Sequence, residues 1–251
     1  MALAIMLTMF VLGILLGFIG AGGAGFIIAI LTVLFGVPIH TALGTSLAAM
    51  VFTTISGAYS HFQQGNIAVK IGLVTGGFGA AASYLGSQLS ALIPVYYLHF
   101  LTAGMLFLSA VILVIRLFIV QRRRATNTRN PIGNVQLIQK AAIVGISSGV
   151  LAGTFGIGSA PFIQIGLLII LGLSIRQSVG TTMLVILPIA FAGGFGYYLE
   201  GYLDLLLLFK VLAGTMIGSY VGAKFTNIAP QGLLKSAMVL TPITAALVML
   251  F

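Results

Sequence analysis

A glycine-rich break in a nearly chargeless chain can hold an anion through backbone groups alone. Gly20-Ala21-Gly22-Gly23-Ala24-Gly25 interrupts one apolar stretch, and Gly156-Ile157-Gly158-Ser159-Ala160-Pro161 interrupts another. Glycine reaches backbone conformations closed to other residues, so several in a row break a helix at membrane depth. The helix that restarts presents bare N–H groups. With the positive end of its dipole, these form an anion site without a charged side chain. Pro161 suits the first turn of such a helix. Gly22, Gly23, Gly25, Gly158 and Ser159 are therefore candidate substrate-binding residues. Glycine also serves close helix packing, as in Gly13-x-x-x-Gly17 and Gly218-x-x-x-Gly222, but two breaks at matching positions favour binding.

Two hydroxyl clusters come next. Gly44-Thr45-Ser46 and Gly180-Thr181-Thr182 each lie about one and a half turns into a long apolar segment. Such hydroxyls either bond to carbonyls of their own helix or donate to an anion from two helices facing across a pseudo-twofold axis. On the second reading Thr45, Ser46, Thr181 and Thr182 bind substrate, and Thr53, Thr54 and Ser56 extend the polar path. The stretch His61-Phe62-Gln63-Gln64-Gly65-Asn66 supplies a group that titrates near neutrality. His61 is either a proton carrier or gate, or a polar anchor at the interface. Lys210 can reach back towards Asp204 or the interface.

Other chemistry is poorly supplied. Glu200 and Asp204 are the only two acids and cysteine is absent, so there is no buried acid relay, thiol nucleophile or thiolate metal site. A membrane enzyme needs paired acids, a His–carboxylate metal set or an activated nucleophile. No enzyme, cofactor or metal is expected, and the coupling ion, proton or sodium, stays open.

These residues sit on a repeat. The second half matches the first at a fixed offset of 136 residues: Gly17, Gly20, Gly22 and Phe26 fall on Gly153, Gly156, Gly158 and Phe162. Gly36 falls on Gly172, Gly44-Thr45 on Gly180-Thr181, Gly57 on Gly193, Gly65 on Gly201, and Ser83-Tyr84-x-Gly86 on Ser219-Tyr220-x-Gly222. Matching glycines and polar residues, rather than leucines, mark a duplicated unit. A duplicated unit in an apolar chain is the layout of a secondary transporter with its site between the repeats.

Hydrophobic residues make up 60% of the chain and charged residues 5%, with a mean hydropathy of +1.22. A soluble domain carries about a quarter charged residues, so the fold class is all-α, a polytopic helical membrane protein. Five apolar segments fall in each half, at about 2–19, 24–36, 39–63, 67–93 and 95–119, then 138–155, 160–172, 175–200, 203–227 and 231–251. The second of each set is too short to span about 30 Å of hydrocarbon. It forms either a re-entrant hairpin or a tight crossing with the first. Three further crossings give an odd total, so the repeats must be inverted: two inverted-topology repeats of about five helical segments each, at 1–120 and 140–251, with short broken or re-entrant helices at the breaks.

Five of the eleven basic residues, Arg122, Arg123, Arg124, Arg129 and Lys140, lie in or beside the polar stretch 121–139. This basic loop reads as cytoplasmic under the positive-inside rule, which puts both termini outside. Lys70, Arg116, Arg176, Lys224 and Lys235 then sort to the cytoplasmic face, Lys210 is the one cation that does not, and Glu200 and Asp204 fall on the outer face. His40 and His99 lie near the outer face. The net charge of +9 is therefore orientation, not nucleic-acid binding. The first segment is not a signal peptide, because no basic region precedes it and it recurs at 149–164.

The motifs resemble those of the sulfite exporter TauE/SafE family, also called the toluene-sulfonate uptake permease family. They are Gly20-x-Gly22-Gly23-x-Gly25-Phe26, Gly36-Val37-Pro38, Gly44-Thr45-Ser46 and the run Ser56-Gly57-Ala58-Tyr59-Ser60-His61-Phe62-Gln63-Gln64-Gly65-Asn66, with Gly153-x-x-Gly156-x-Gly158-Ser159-Ala160-Pro161 and Gly180-Thr181 in the second half. Gln63-Gln64 stand where the family often has basic residues, and Ser159-Ala160 where it has a glycine pair. The resemblance implies transport of sulfur oxyanions (sulfite, sulfonates such as sulfoacetate, or sulfate) across the cytoplasmic membrane. The expected function is a secondary transporter working by alternating access, its partners a small anionic substrate and the lipid bilayer. The alternative is an anion channel or a carrier of non-sulfur organic anions.

Overall fold

The computed structural model describes residues 2–19, 24–114, 134–156, 159–226 and 228–250. Ten helices run through them: α1 (Ala2–Ile19), α2 (Ala24–Ala29, continued by π-helical Ile30–Leu34), α3 (Ile39–Gln63), α4 (Val69–Ala91), α5 (Val95–Val114), α6 (Asn134–Phe155), α7 (Ala160–Ile169), α8 (Ile175–Leu199), α9 (Leu205–Phe225) and α10 (Gln231–Leu250). No strand occurs among the described residues. The protein is an all-helical membrane protein. Within the described residues, α3, α6, α8 and α9 are each long and apolar enough to cross a bilayer.

The offset that relates the sequence also relates the turns. Gly36 and Gly172 end the short helices at φ 66° and 73°, and Gly65 and Gly201 end α3 and α8 at φ 69° and 78°. An L side chain pays about 1–2 kcal/mol in this left-handed region, and glycine does not. The closing bonds repeat too, Val37 N–H to the Leu31 carbonyl and Leu173 N–H to the Leu167 carbonyl, both at 2.9 Å. Each joins an N–H to the carbonyl six residues back and satisfies a carbonyl left open at a helix end.

Glycine faces bring helices into backbone contact and fix their directions. Gly13 packs on Thr215 and Gly17 on Ser219, so α1 and α9 run parallel. Gly79 packs on Gly145 and Gly153 on Ser83 and Ser87, so α4 and α6 run parallel as well. A Cβ on Gly13 would lie 2.7 Å from the Thr215 carbonyl oxygen, so no larger residue fits there. By contrast α3 and α8 run opposed, with Gly44 against Tyr197, Ala48 against Gly194 and Gly57 against Met183. Ser56 Oγ donates to the Met216 carbonyl and Gln64 Nε2 to that of Ala223, which sets α3 alongside α9.

Helix pairs come in sets that the offset exchanges: α1–α9 with α6–α4, α3–α9 with α8–α4, and α2–α10 with α7–α5, while α3–α8 and α5–α10 map onto themselves. One end of the bundle therefore gathers the start of α4, the start of α8 and the end of α9, with Lys70, Arg176 and Lys224; Lys70 Nζ donates to Asn134 Oδ1 at 2.8 Å. The other end carries Glu200 and Asp204. At the centre, Ile27, Ile28 and Leu31 of α2 and Ile163 and Leu167 of α7 are fully buried. Helices this short and apolar are stable only when packed on every side.

Candidate functional site

Each break follows a helix whose last carbonyls have no partner of their own, and the third helix of the same half supplies one. His61 Nε2 lies 3.4 Å from the Gly17 carbonyl oxygen at the end of α1. Tyr197 Oη lies 3.1 Å from the Gly153 carbonyl oxygen at the end of α6. Under the 136-residue offset His61 becomes Tyr197 and Gly17 becomes Gly153. The two contacts are therefore the same brace built from different side chains. Thr226 adds a bond to the Phe18 carbonyl, and Gln164 of α7 crosses over to donate to that of Ile19 at 3.0 Å. Tyr197 also meets Ser90 Oγ at 2.7 Å.

Tyr197 was missed by the sequence reading. The signal was present: shifting the histidine of the long polar motif by the repeat offset lands on it. A tyrosine in an apolar helix does not by itself stand out.

The start of α7 is built from a strained residue. Ser159, its N-cap, is buried with φ 37° and ψ 24°, and is the one non-glycine residue at positive φ among those described. This is the position where the related pattern has glycine. Its hydroxyl donates to the Ser148 carbonyl of α6, which offsets the cost of the left-handed backbone. Gly156, at φ 63°, faces Leu43 of α3 and Ile28 of α2, so the second break rests on the first half's short helix. Gly25 is buried in α2. Gly22, Gly23 and Gly158 lie outside the described residues.

The other predicted residues scatter. Ser46 donates to Leu43 O and Thr182 to Ser178 O, bonds within their own helices. Thr53 and Thr54 do the same towards Met50 O. Thr181 accepts from the N–H of Ala68 at 2.9 Å, bracing the turn into α4. Thr45 is fully buried and its hydroxyl has no partner.

The expectation that Thr45 and Thr181 share one anion does not fit this geometry. Their helices are antiparallel, so equivalent positions away from the crossing lie at opposite ends. Gly44 packs on Tyr197, which is 16 residues beyond Thr181 on α8, or about 24 Å at 1.5 Å per residue. The short helices link the two breaks: Gln164 of α7 reaches Ile19 at the end of α1, and Ile28 of α2 meets Gly156 just after α6. Clefts of about 230 and 400 Å³ beside α3–α8 and α1–α2 are lined by apolar groups such as Val51 and Phe191, or Leu7 and Val11, and offer an anion nothing.

Comparison with known proteins gives a consistent picture. The family model described as sulfite exporter TauE/SafE matches residues 5–249. A probable membrane transporter protein of Bacillus subtilis, YdhB, is 62% identical over 98% of this chain and 99% of its own length. A second from the same organism, YjnA, is 26% identical over 96% of this chain and 98% of its own. A probable membrane transporter protein of Haemophilus influenzae is 27% identical over 94% of this chain and 92% of its own. No solved structure matches the chain.

Proposed function

Since the chain belongs to the sulfite exporter TauE/SafE family of membrane transporters, we propose that it moves small sulfur-containing oxyanions across the cytoplasmic membrane by alternating access. Sulfite, sulfonates such as sulfoacetate, and sulfate are the candidate substrates. The observation that carries this reading is the pair of equivalent breaks, each braced by the third helix of its own half and each resting on the short helix of the other. A movement that opens one break to its side of the membrane therefore shifts contacts at the other. The opposed directions of α3 and α8 support inverted repeats, with the basic 121–139 stretch cytoplasmic and both termini outside.

The anion is held by backbone N–H groups at the start of one short helix at a time. α7, ten residues long with Pro161 in its first turn, is the stronger station. Its residues are Gly158, Ser159 and the amides that follow. Gly22, Gly23 and Gly25 form the equivalent station at the start of α2. Thr45 lies level with the α7 station and Thr181 with the other. Oriented amides bind an oxyanion without burying a fixed counter-charge in the empty state. Thermal unfolding of the purified protein with sulfite, sulfate, thiosulfate, taurine or sulfoacetate tests the assignment, because a ligand stabilises the state it binds. A saturable rise in Tm with one of these is expected. A rise only with carboxylates would transfer the reading to organic anions.

A further inference from the structure

The two braces at the helix ends are equivalent in position, but only one of them is built from a group that titrates near neutrality. His61 is fully buried, and its Nε2 lies 3.4 Å from the Gly17 carbonyl oxygen. A carbonyl only accepts, so Nε2 carries the hydrogen and Nδ1 of the neutral ring presents a bare lone pair. Nδ1 is buried and has no hydrogen-bond partner. A buried acceptor left open calls for an explanation. The equivalent phenol behaves differently. Tyr197 Oη meets Ser90 Oγ at 2.7 Å and the Gly153 carbonyl oxygen at 3.1 Å, and tyrosine ordinarily keeps its proton to about pH 10. Of the two braces, His61 alone can change charge near neutral pH.

The charges around His61 are of one sign. Helices α1, α2 and α7 carry no ionisable side chain. On α9, Lys224 lies near the same end, its ammonium 4.5 Å from the centre of the Tyr220 ring, and Lys210 stands towards the far end. Lys235 lies in the second turn of α10, and α3 itself adds only His40, at its opposite end. Lys70 and Arg176 share this face of the bundle, whereas Glu200 and Asp204, the only acids of the sequence, lie at the other. An imidazolium here would face the negative end of the α1 dipole. That partial charge does not offset burying a whole one among cations. The missing counter-charge is an anion, and in a low-dielectric interior two charges interact strongly without touching.

We propose that His61 is the proton site of transport: Nδ1 takes up one proton from water when the oxyanion binds and returns it when the anion leaves, so that the two cross the membrane together. The assignment rests on the transporter reading above and names its coupling ion. Proton and anion then favour each other's binding by the same factor. Anion affinity is highest at low pH and falls as rising pH leaves Nδ1 empty.

The test uses the purified full-length protein with sulfate or sulfoacetate, whose charges stay constant between about pH 6 and 8. Calorimetric titration should show Kd rising by up to about 10-fold per pH unit across that range. In weak buffer the protein should take up as much as one proton per anion bound. Glutamine can still donate to the Gly17 carbonyl but binds no proton, so His61→Gln should bind with a Kd indifferent to pH and without proton uptake. His40→Gln, altered at a partly exposed ring stacked on Tyr202 at 4.8 Å, should keep the wild-type pH dependence. A wild-type Kd that is flat with pH overturns the proton site even if His61→Gln does not fold, and leaves the transporter reading standing. Proton uptake by His61→Gln equal to wild type overturns it as well. If neither anion binds at any pH, the transporter reading falls and the coupling falls with it.

Discussion

At Ser159 a hydroxyl and a backbone strain oppose each other, and substitution separates them. Ser159→Gly relieves the positive φ and loses the bond to the Ser148 carbonyl, so stability should change by less than about 1 kcal/mol. Ser159→Ala keeps the strain and loses the bond, and should cost about 1–3 kcal/mol in chemical unfolding. If alanine proves as stable as serine, the hydroxyl does not support this backbone. Tyr197→Phe removes one brace without changing shape, and takes the hydroxyl contact away from the Gly153 carbonyl at the end of α6. It should lower the transport rate while the protein still folds, and a wild-type rate would limit Tyr197 to packing. The residue scale is also where the sequence was least legible. Hydroxyls that bond within their own helix, as at Ser46 and Thr182, look the same on paper as hydroxyls turned to a substrate, since the difference lies in a side-chain torsion.

Helices and their ends were far more legible. The short second and seventh helices, the interrupted segments and the glycine turns all follow from apolar run length and from glycine's access to positive φ. The unread part was direction. Matching Thr45 with Thr181 ignores that two antiparallel helices bring equivalent residues together only near their crossing, which the α3–α8 contacts place further along, around Phe52 and Pro188. Packing at the element scale is testable at Gly149, where a Cβ would strike the Gly79 carbonyl and lie 2.9 Å from Ala82 Cβ. Gly149→Leu should part α4 from α6 and lower Tm by several degrees or prevent expression, whereas Gly77→Leu, which meets nothing within 4 Å, should be tolerated. Gly156→Val forces a β-branched residue to φ 63° against Leu43, and should abolish transport. Activity close to wild type in Gly156→Val would remove the break from the mechanism.

For the molecule as a whole, the proposed transport cycle requires repeats that run in opposite directions and a site served from both sides. The orientation proposed from charge is open to direct test: with no native cysteine, a single cysteine at Asn127 or at the C-terminus reports its side through an impermeant thiol reagent in intact cells. The C-terminal cysteine should label and the one at 127 should not; the reverse would invert the topology. The central claim is that one anion exchanges between two alternately open stations. Counterflow in proteoliposomes measures that directly. Vesicles loaded with unlabelled sulfite or sulfoacetate should transiently accumulate labelled anion above its outside concentration, and Gly156→Val vesicles should not. Labelled anion that only equilibrates, at a rate indifferent to the internal load, would identify a channel and contradict the account.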